Sequence, residues 1–373
     1  MAFFAHALLM QSWQAHLPAM QTSMGISDAA LGAALLGAPV GGLIGVLAWG
    51  RAVARLGSDR VMRLTLPGFA LLALTLAVAD NAVTLFAAVA VWGACGAGFE
   101  LAMNAQAVTV EQAAGTPVMA RLHGLWSCGG LTGSMVAAAA VAAGVHLAWQ
   151  AAVLGALAFT AVGLGSRSLL PDATNPAAGQ PSGSRRGGAT VWALAGLAVS
   201  AMLVEGITAD WSAVLLRNSF HASPGIAGLA LSGFCAAMLL VRMASPALHT
   251  RVSTPLLLTT LAGTAAVVMS GALLIAAATA AIIGFTALGI GVGLVVPSAF
   301  SAAGASAGAN CGAAVATISA CGWVTFLAAP ALVGSIADKI GLPHTLWILP
   351  VTAAAIAVAS AVILPTAHSA RKG

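Results

Sequence analysis

Charge is what this sequence has least of: 6% of its 373 residues are Asp, Glu, Lys or Arg, against about 25% in ordinary soluble domains. Water is thereby excluded as the main solvent. A sizeable soluble domain is excluded too, because apolar runs long enough to cross a bilayer recur along the whole chain. Cysteine is also scarce. Cys95, Cys128, Cys235, Cys311 and Cys321 stand singly in apolar runs without CxxC or Cys/His spacing, which excludes a zinc site and a disulfide framework and leaves small packing residues. No Walker loop is present, so ATP is not the energy source, and no Ser/His/Asp or paired-metal arrangement points to an enzyme or a cofactor. Gly289, Gly291 and Gly293 spell part of GxGxxG, but they lie in an apolar span with no strand before them, which rules out a dinucleotide site. The first apolar run starts at Met1 with no basic n-region and no small-residue cleavage site, so it reads as a span rather than a signal peptide.

What is present is apolar, small and periodic. Hydrophobic residues make up 60% of the chain, and 43 glycines among many alanines suit helices packed closely in lipid. The pattern predicts an all-α membrane protein with twelve spans, at about 1 to 22, 28 to 50, 60 to 79, 82 to 108, 119 to 143, 147 to 167, 190 to 216, 224 to 246, 254 to 276, 278 to 303, 311 to 335 and 343 to 365. A Pro/Gly/Ser-rich stretch, SRSLLPDATNPAAGQPSGSRRGGAT (166 to 190), separates the sixth span from the seventh. The expected organisation is a six-helix bundle over 1 to 169, a cytoplasmic linker over 170 to 189 and a second six-helix bundle over 190 to 373.

Placing both termini in the cytoplasm gathers Arg51, Arg55, Arg60, Arg63, Arg121, Arg167, Arg185, Arg186, Arg242, Arg251, Arg371 and Lys372 on that side, 12 of the 14 basic residues. Only Arg217 and Lys339 fall outside. The net charge of +5 is thus a matter of topology, and no nucleic-acid partner is expected. The halves repeat weakly: ISDAALGAALLG (26 to 37) lines up with ASPGIAGLALSG (222 to 233), GACGAGF (93 to 99) with GIGVGLV (289 to 295), and LWSCGGL (125 to 131) with ISACGWV (318 to 324). Parallel repeats of this kind imply two bundles related by an axis along the membrane normal, with the substrate site expected between them.

Twelve spans, a 6+6 repeat and a polar central linker resemble the major facilitator superfamily. Its loop signature between spans two and three, roughly G-x-x-x-D-R-x-G-R-R, is similar to GRAVARLGSDR (50 to 60): Gly50, Arg55 and Gly57 match, whereas Ala54 stands at the acid and Asp59 comes later. WQAHLPAM (13 to 20), ELAMNAQAVTVE (100 to 111), HGLWSCGGLTG (123 to 133) and EGITADWS (205 to 212) resemble the YbjJ-like branch of bacterial inner-membrane facilitators. Relatives in that branch tend to carry Arg where His16 stands and an acid where Gln106 stands, and have a basic stretch before the first span. The resemblance implies a transporter, not a cargo.

The few polar residues inside spans are the candidate site. Glu205 falls near the middle of the seventh span, where a carboxylate costs about 2.5–3.5 kcal/mol on insertion scales. Glu205, Thr208 and Ser212 share one helix face, and Asp210 lies about 140° round from Glu205. Glu205 reads either as a proton-exchanging group in a central cavity or as a structural pin; Asp210 is open in the same way. Glu100, Asn104 and Glu111 form a second stripe on the fourth span; Glu100 is the cavity candidate and Glu111 the partner of a loop arginine such as Arg121 or Arg55. His123 is a candidate proton relay or a structural histidine. Gln14 and His16 offer hydrogen bonds to a polar solute, and His6 is a weaker candidate of the same kind. Trp13 and Trp211 read as interfacial belt residues rather than substrate platforms, Arg242 as a snorkelling anchor or else the second half's counterpart of the loop arginines, and Gly129 with Gly133 as a helix-packing step.

These readings converge on a monomeric secondary transporter of the bacterial inner membrane, with both termini cytoplasmic and the bilayer, protons and a small polar solute as its partners. Gly50, Arg55, Gly57, Glu111 and Arg121 form the expected cytoplasmic gate. Two alternatives remain open at this point: a proton-driven exporter of amphipathic compounds, and a membrane sensor that keeps the fold without transporting.

Overall fold

The computed structural model describes residues 1–114, 119–165, 169–170, 188–307, 318, 321 and 329–364. Two compact units cover Met1–Gln180 with Ser223–Gly228, and Pro181–Ala222 with Leu229–Gly373. Among the described residues there is no strand. Ten helical stretches are long and apolar enough to cross a bilayer.

In the first unit, the expected first span is two short helices rather than one. Helix α1 (Ala2–Met10) stops, residues 11–13 leave the helix, a 3₁₀ turn covers Gln14–His16, and α2 (Leu17–Met24) resumes. Pro18 sits at the start of α2, where its missing N–H costs nothing, and Gly25 ends it in the left-handed conformation (φ 62°). Ser27 caps α3 (Asp28–Leu35), its Oγ accepting from Ala30 N at 3.2 Å. The second span continues as α4 (Gly37–Leu56), followed by α5 (Ser58–Ala77), α6 (Ala82–Ala114), α7 (Met119–Ala142) and α8 (Leu147–Gly165).

Packing in this unit is backbone on backbone. Gly37, Gly41 and Gly45 of α4 lie against the carbonyls of Phe86, Ala90 and Ala94 of α6, so close that a Cβ at any of the three would overlap a carbonyl oxygen. One turn further on the relation inverts, and the Trp49 indole lies on Gly98. Gly129 and Gly133 of α7 do the same for α1, resting on the carbonyls of Phe4 and Leu8, so the expected packing step is present.

The second unit begins with α9 (Ala189–Val214), which passes into a π-helical turn at Leu215–Ser219. Then follow α10 (Pro224–His249), α11 (Thr254–Ile275), α12 (Ala278–Val292) and α13 (Val295–Ala307). The expected tenth span, 278 to 303, is therefore broken at Gly293 and Leu294. The expected eleventh span and Cys311 fall largely outside the described residues, which resume with α14 (329–340), α15 (Leu342–Thr345) and α16 (Ile348–Ile363). Helix α9 packs on α13 and α16, and α11 packs on α12 and α16. The outward faces are aliphatic, with Val78, Val83, Val267 and Val362 among the most exposed side chains, as a lipid solvent allows.

Candidate functional site

The break in the first span is held open by side chains. At residues 11–13 the helical ladder lapses, and three local bonds replace it: Ser12 Oγ donates to Leu9 O (3.0 Å), Gln14 Nε2 donates to Met10 O (2.8 Å), and Gln150 Nε2 of α8 donates to Ser12 O. With its amide nitrogen so committed, Gln150 presents Oε1 to His16 Nε2 at 2.9 Å, so His16 carries its proton on Nε2 and is the donor. His16, expected as a solute contact, thus has that nitrogen engaged by Gln150. Gln150 was not among the sequence candidates, although it is a lone amide in the apolar run LAWQAAVLG (147 to 155), which is the signal that marks it.

Around the break, three buried polar atoms have no partner among the described residues: Gln11 Oε1, Trp13 Nε1 and Gln14 Oε1. A buried group left this way costs about 1–3 kcal/mol. Trp13, read from sequence as a belt residue, is instead 5% exposed and meets Trp92 edge-on with ring centres 6.0 Å apart. Its position against the aromatic core of the unit keeps it from the lipid interface. Trp149, 72% exposed, is the belt-like indole of this unit.

Trp92 stacks on Phe69 (5.0 Å), Phe69 on His6 (5.2 Å), and Trp92 Nε1 donates to Phe69 O (3.1 Å). Trp126 Nε1 donates to His6 Nδ1 at 3.2 Å, which places the histidine proton on Nε2. His6 is therefore a core residue of an aromatic cluster drawn from α1, α5, α6 and α7. His123, one of the relay candidates, is exposed and edge-on to Phe3 at 5.3 Å. On α6, Glu100 is half-buried, and Asn104 Nδ2 donates to its backbone carbonyl one turn earlier at 2.9 Å.

In the second unit, Glu205 and Asp210 are both half-buried on α9, while Thr208, Trp211 and Ser212 are fully buried. Thr208 Oγ1, Trp211 Nε1 and Ser212 Oγ have no hydrogen-bond partner among the described residues. Trp211, like Trp13, is thus a core indole and not the belt residue expected. Arg242 of α10 also departs from expectation. It does not snorkel as an anchor: Nε donates to the carbonyl of Gly293 at 3.0 Å, in the break between α12 and α13. A helix break exposes carbonyls that need donors, and a lone arginine about five turns from the start of its own helix can supply one. That pairing joins residues 51 apart in sequence, which no local pattern reveals.

No family model matches the chain. An uncharacterised MFS-type transporter of Yersinia pestis is 32% identical over 345 residues, covering 91% of this chain and 88% of its own. The chain belongs to the major facilitator superfamily. It is also similar to an uncharacterised transporter of Sinorhizobium fredii, 29% identical over 374 residues, and to the membrane protein MosC of Rhizobium meliloti, 25% identical over 358 residues. These cover 97% and 96% of this chain, and 96% and 87% of their own. Among solved structures, the nucleoside transporter NupG superposes with a TM-score of 0.74 over 97% of both chains at 13% identity. A bacterial homologue of the human lysosomal transporter Spinster gives 0.63 at 15% identity, over 97% of this chain and 93% of its own. These two likenesses establish the facilitator fold alone. The protein is a multi-pass transporter of the bacterial inner membrane, not an enzyme.

In this facilitator the signature loop is two helices meeting at one residue. Gly57 stands between α4 and α5 at φ 89° and ψ 154°, a conformation open essentially to glycine alone. Gly50 has open space around it, with Leu101 Cδ2 the nearest atom to a built Cβ at 3.9 Å. Arg55 and Arg121 are exposed and Glu111 is half-buried. Asp59, the acid that stands late in the signature, pairs with Arg63 at 3.7 Å. Gln106, where relatives tend to carry an acid, is buried and bonds to three groups: Nε2 donates to Ser58 Oγ (2.8 Å) and Leu170 O (2.7 Å), and Oε1 accepts from Leu170 N (3.2 Å). An amide can donate and accept in this way, and an ionised acid cannot. A groove of about 530 Å³ between α5 and α8, lined by Arg63, Pro67 and Phe159, contains none of the candidate site residues.

Proposed function

We propose that this protein couples proton movement to the transport of a small polar solute by alternating access, with Glu205 and Glu100 as the proton-exchanging carboxylates. The observation that carries the reading is Glu205, half-buried in the middle of α9, with Arg242 of α10 taken as its opposing charge. An ionised Glu205 attracts the guanidinium, and a protonated one does not, so loading a proton changes the force on the side chain that holds Gly293 in the break of the tenth span. A carboxylate and an arginine are expensive within lipid and are kept there where charge movement is the task. Asn104 supports Glu100 by fastening the helix face next to it. Asp210 and His123 are secondary sites of proton exchange, and Gln14 contributes a solute contact.

The same reading takes both termini as cytoplasmic, on the strength of the basic-residue asymmetry. The meeting of α4 and α5 at Gly57, with Gly50, Arg55, Glu111 and Arg121, then forms the cytoplasmic gate. Proton flux into proteoliposomes, screened with pools of sugars, polyols, amino acids and cationic dyes, tests the function. Flux should appear with one pool and vanish in Glu205→Gln with insertion intact. Solute movement that ignores the pH gradient, and is untouched by that change, would overturn the coupling.

A further inference from the structure

Two stretches half a chain apart read alike: Ser12-Trp13-Gln14-Ala15 and Asp210-Trp211-Ser212-Ala213, separated by 198 residues, close to the spacing of the other repeats. The structure gives them the same unmet needs. In both, the indole is buried with Nε1 unpartnered, and the oxygen of the next side chain, Gln14 Oε1 or Ser212 Oγ, is unpartnered too. Each pair lies beside a departure from the α-helix, the break at residues 11–13 and the π turn that starts at Leu215. Such departures accompany binding sites in membrane transporters and elsewhere.

The hydroxyls on α9 sharpen the point. Helical Ser and Thr in an apolar setting normally bond back to the carbonyl one turn earlier, as Ser200 does to Gly196, Thr286 to Ile282 and Thr65 to Val61. Thr208 and Ser212 make no such bond and are fully buried. On the first span, Gln14 Nε2 is fixed to Met10 O, which leaves Oε1 as the atom on offer, and Gln11 Oε1 is a second acceptor beside it.

The ligand chemistry follows from the atoms. An indole N–H needs an acceptor and an amide oxygen needs a donor, and a hydroxyl group is both. A carboxylate only accepts, and an ammonium only donates. Neither Trp13 nor Gln14 brings a charge to neutralise, and Gln11 adds none. We infer that Trp13–Gln14 and Trp211–Ser212 are two separate hydroxyl-binding subsites, each within its own unit and each taking hydroxyl groups of neutral polyhydroxylated solutes. This deepens the transporter reading and rests on it for the solute's fate, not for its binding.

The test is thermal unfolding of the purified full chain in detergent, with myo-inositol, D-glucose and uridine as neutral probes and glutamate and spermidine as charged ones. At least one neutral probe should raise the midpoint, and Trp13→Phe and Trp211→Phe, which keep a ring but lose the N–H, should each weaken its apparent affinity about tenfold, the value of one hydrogen bond. Trp149→Phe should leave it unchanged. Where Trp211→Phe does not fold, Ser212→Ala reads the same subsite without adding volume. Stabilisation by the charged probes alone, by no neutral probe, or equally in wild type and the Phe variants overturns the inference. Binding is read here without flux, so a protein that binds a neutral probe yet moves no protons would sink the coupling proposal and leave the subsites standing. Proton-coupled flux that survives both Phe changes would do the reverse.

Discussion

Arg242 Nε donates to the carbonyl oxygen of Gly293 across 3.0 Å, joining the eighth span to the break in the tenth. Under the proposed coupling, this side chain would carry the state of Glu205 to the backbone of a different helix.

Arg242→Met removes this bond and, under the proposed coupling, the opposing charge of Glu205. A hydrogen bond from a charged donor is worth about 1.5–3 kcal/mol, so the unfolding midpoint in detergent should fall clearly. Adding Glu205→Gln to that variant should restore part of the loss, because an unpaired buried charge is worse than none. A double variant less stable than Arg242→Met alone would show that the two residues are not coupled.

Gln150 serves two groups at the break of the first span, His16 and the Ser12 carbonyl. Gln150→Leu should cost about 1–3 kcal/mol, since it strands a buried carbonyl and a ring N–H. Gln150→Glu is the more informative change. Its ionised form accepts from His16 but has nothing to give Ser12, whereas its protonated form can do both. Stability of that variant should rise on acidification relative to wild type, and a pH profile parallel to wild type would count against the two-sided role.

Gln106 ties Ser58 and Leu170 to α6 through three bonds. In Gln106→Leu the backbone amide of Leu170 loses its acceptor, so its hydrogen exchange should accelerate while amides in the middle of α6 stay protected. Equal exchange in both proteins would mean that the segment after α8 is held by something else.

Gly41 and Gly50 belong to one helix but should answer differently to a methyl group. Gly41→Ala places a Cβ on the Ala90 carbonyl, and overpacking of this kind costs about 1–3 kcal/mol or more. Membrane levels of the folded protein should drop. Gly50→Ala meets open space and should leave levels unchanged, so any loss of transport in that variant reports on the gate. Equal levels for both variants would contradict the close approach of α4 and α6.

The span pattern and the small-residue packing were legible because both are local: a bilayer demands about 20 apolar residues per crossing, and glycines four apart declare a contact face. Glu205, Glu100 and Asn104 stand out in the sequence as polar residues where lipid makes them costly, and the structure leaves all three half-buried on α9 and α6. What escaped were relations between helices. Trp13 and Trp211 looked interfacial because an indole near a span end usually is, and only the packing around them shows that they are enclosed. Arg242 looked like an anchor because its partner, Gly293, becomes a partner only once the tenth span breaks. The break in the first span was equally hidden, since QSWQAH, though mostly polar, is short and flanked by apolar runs, and the Gln150 bonds that stabilise it come from the sixth span.

The inversion at Trp49 and Gly98 bears on what this helix pair is able to do. Along α4 and α6 the partners advance together, Gly37 with Phe86, Gly41 with Ala90, Gly45 with Ala94, so the two helices run in the same direction in a repeating fit of four residues, about 6 Å per step. A ladder with identical rungs invites slippage, since a slide of one step would bring each glycine to another backbone carbonyl. The bulky rung at Trp49 has its only matching recess at Gly98; displaced by a step, the indole would meet Ala94 or Ala102 instead. The pair is therefore keyed as well as zipped, and α4 and α6 can tilt or travel as one rigid piece without changing gear against each other.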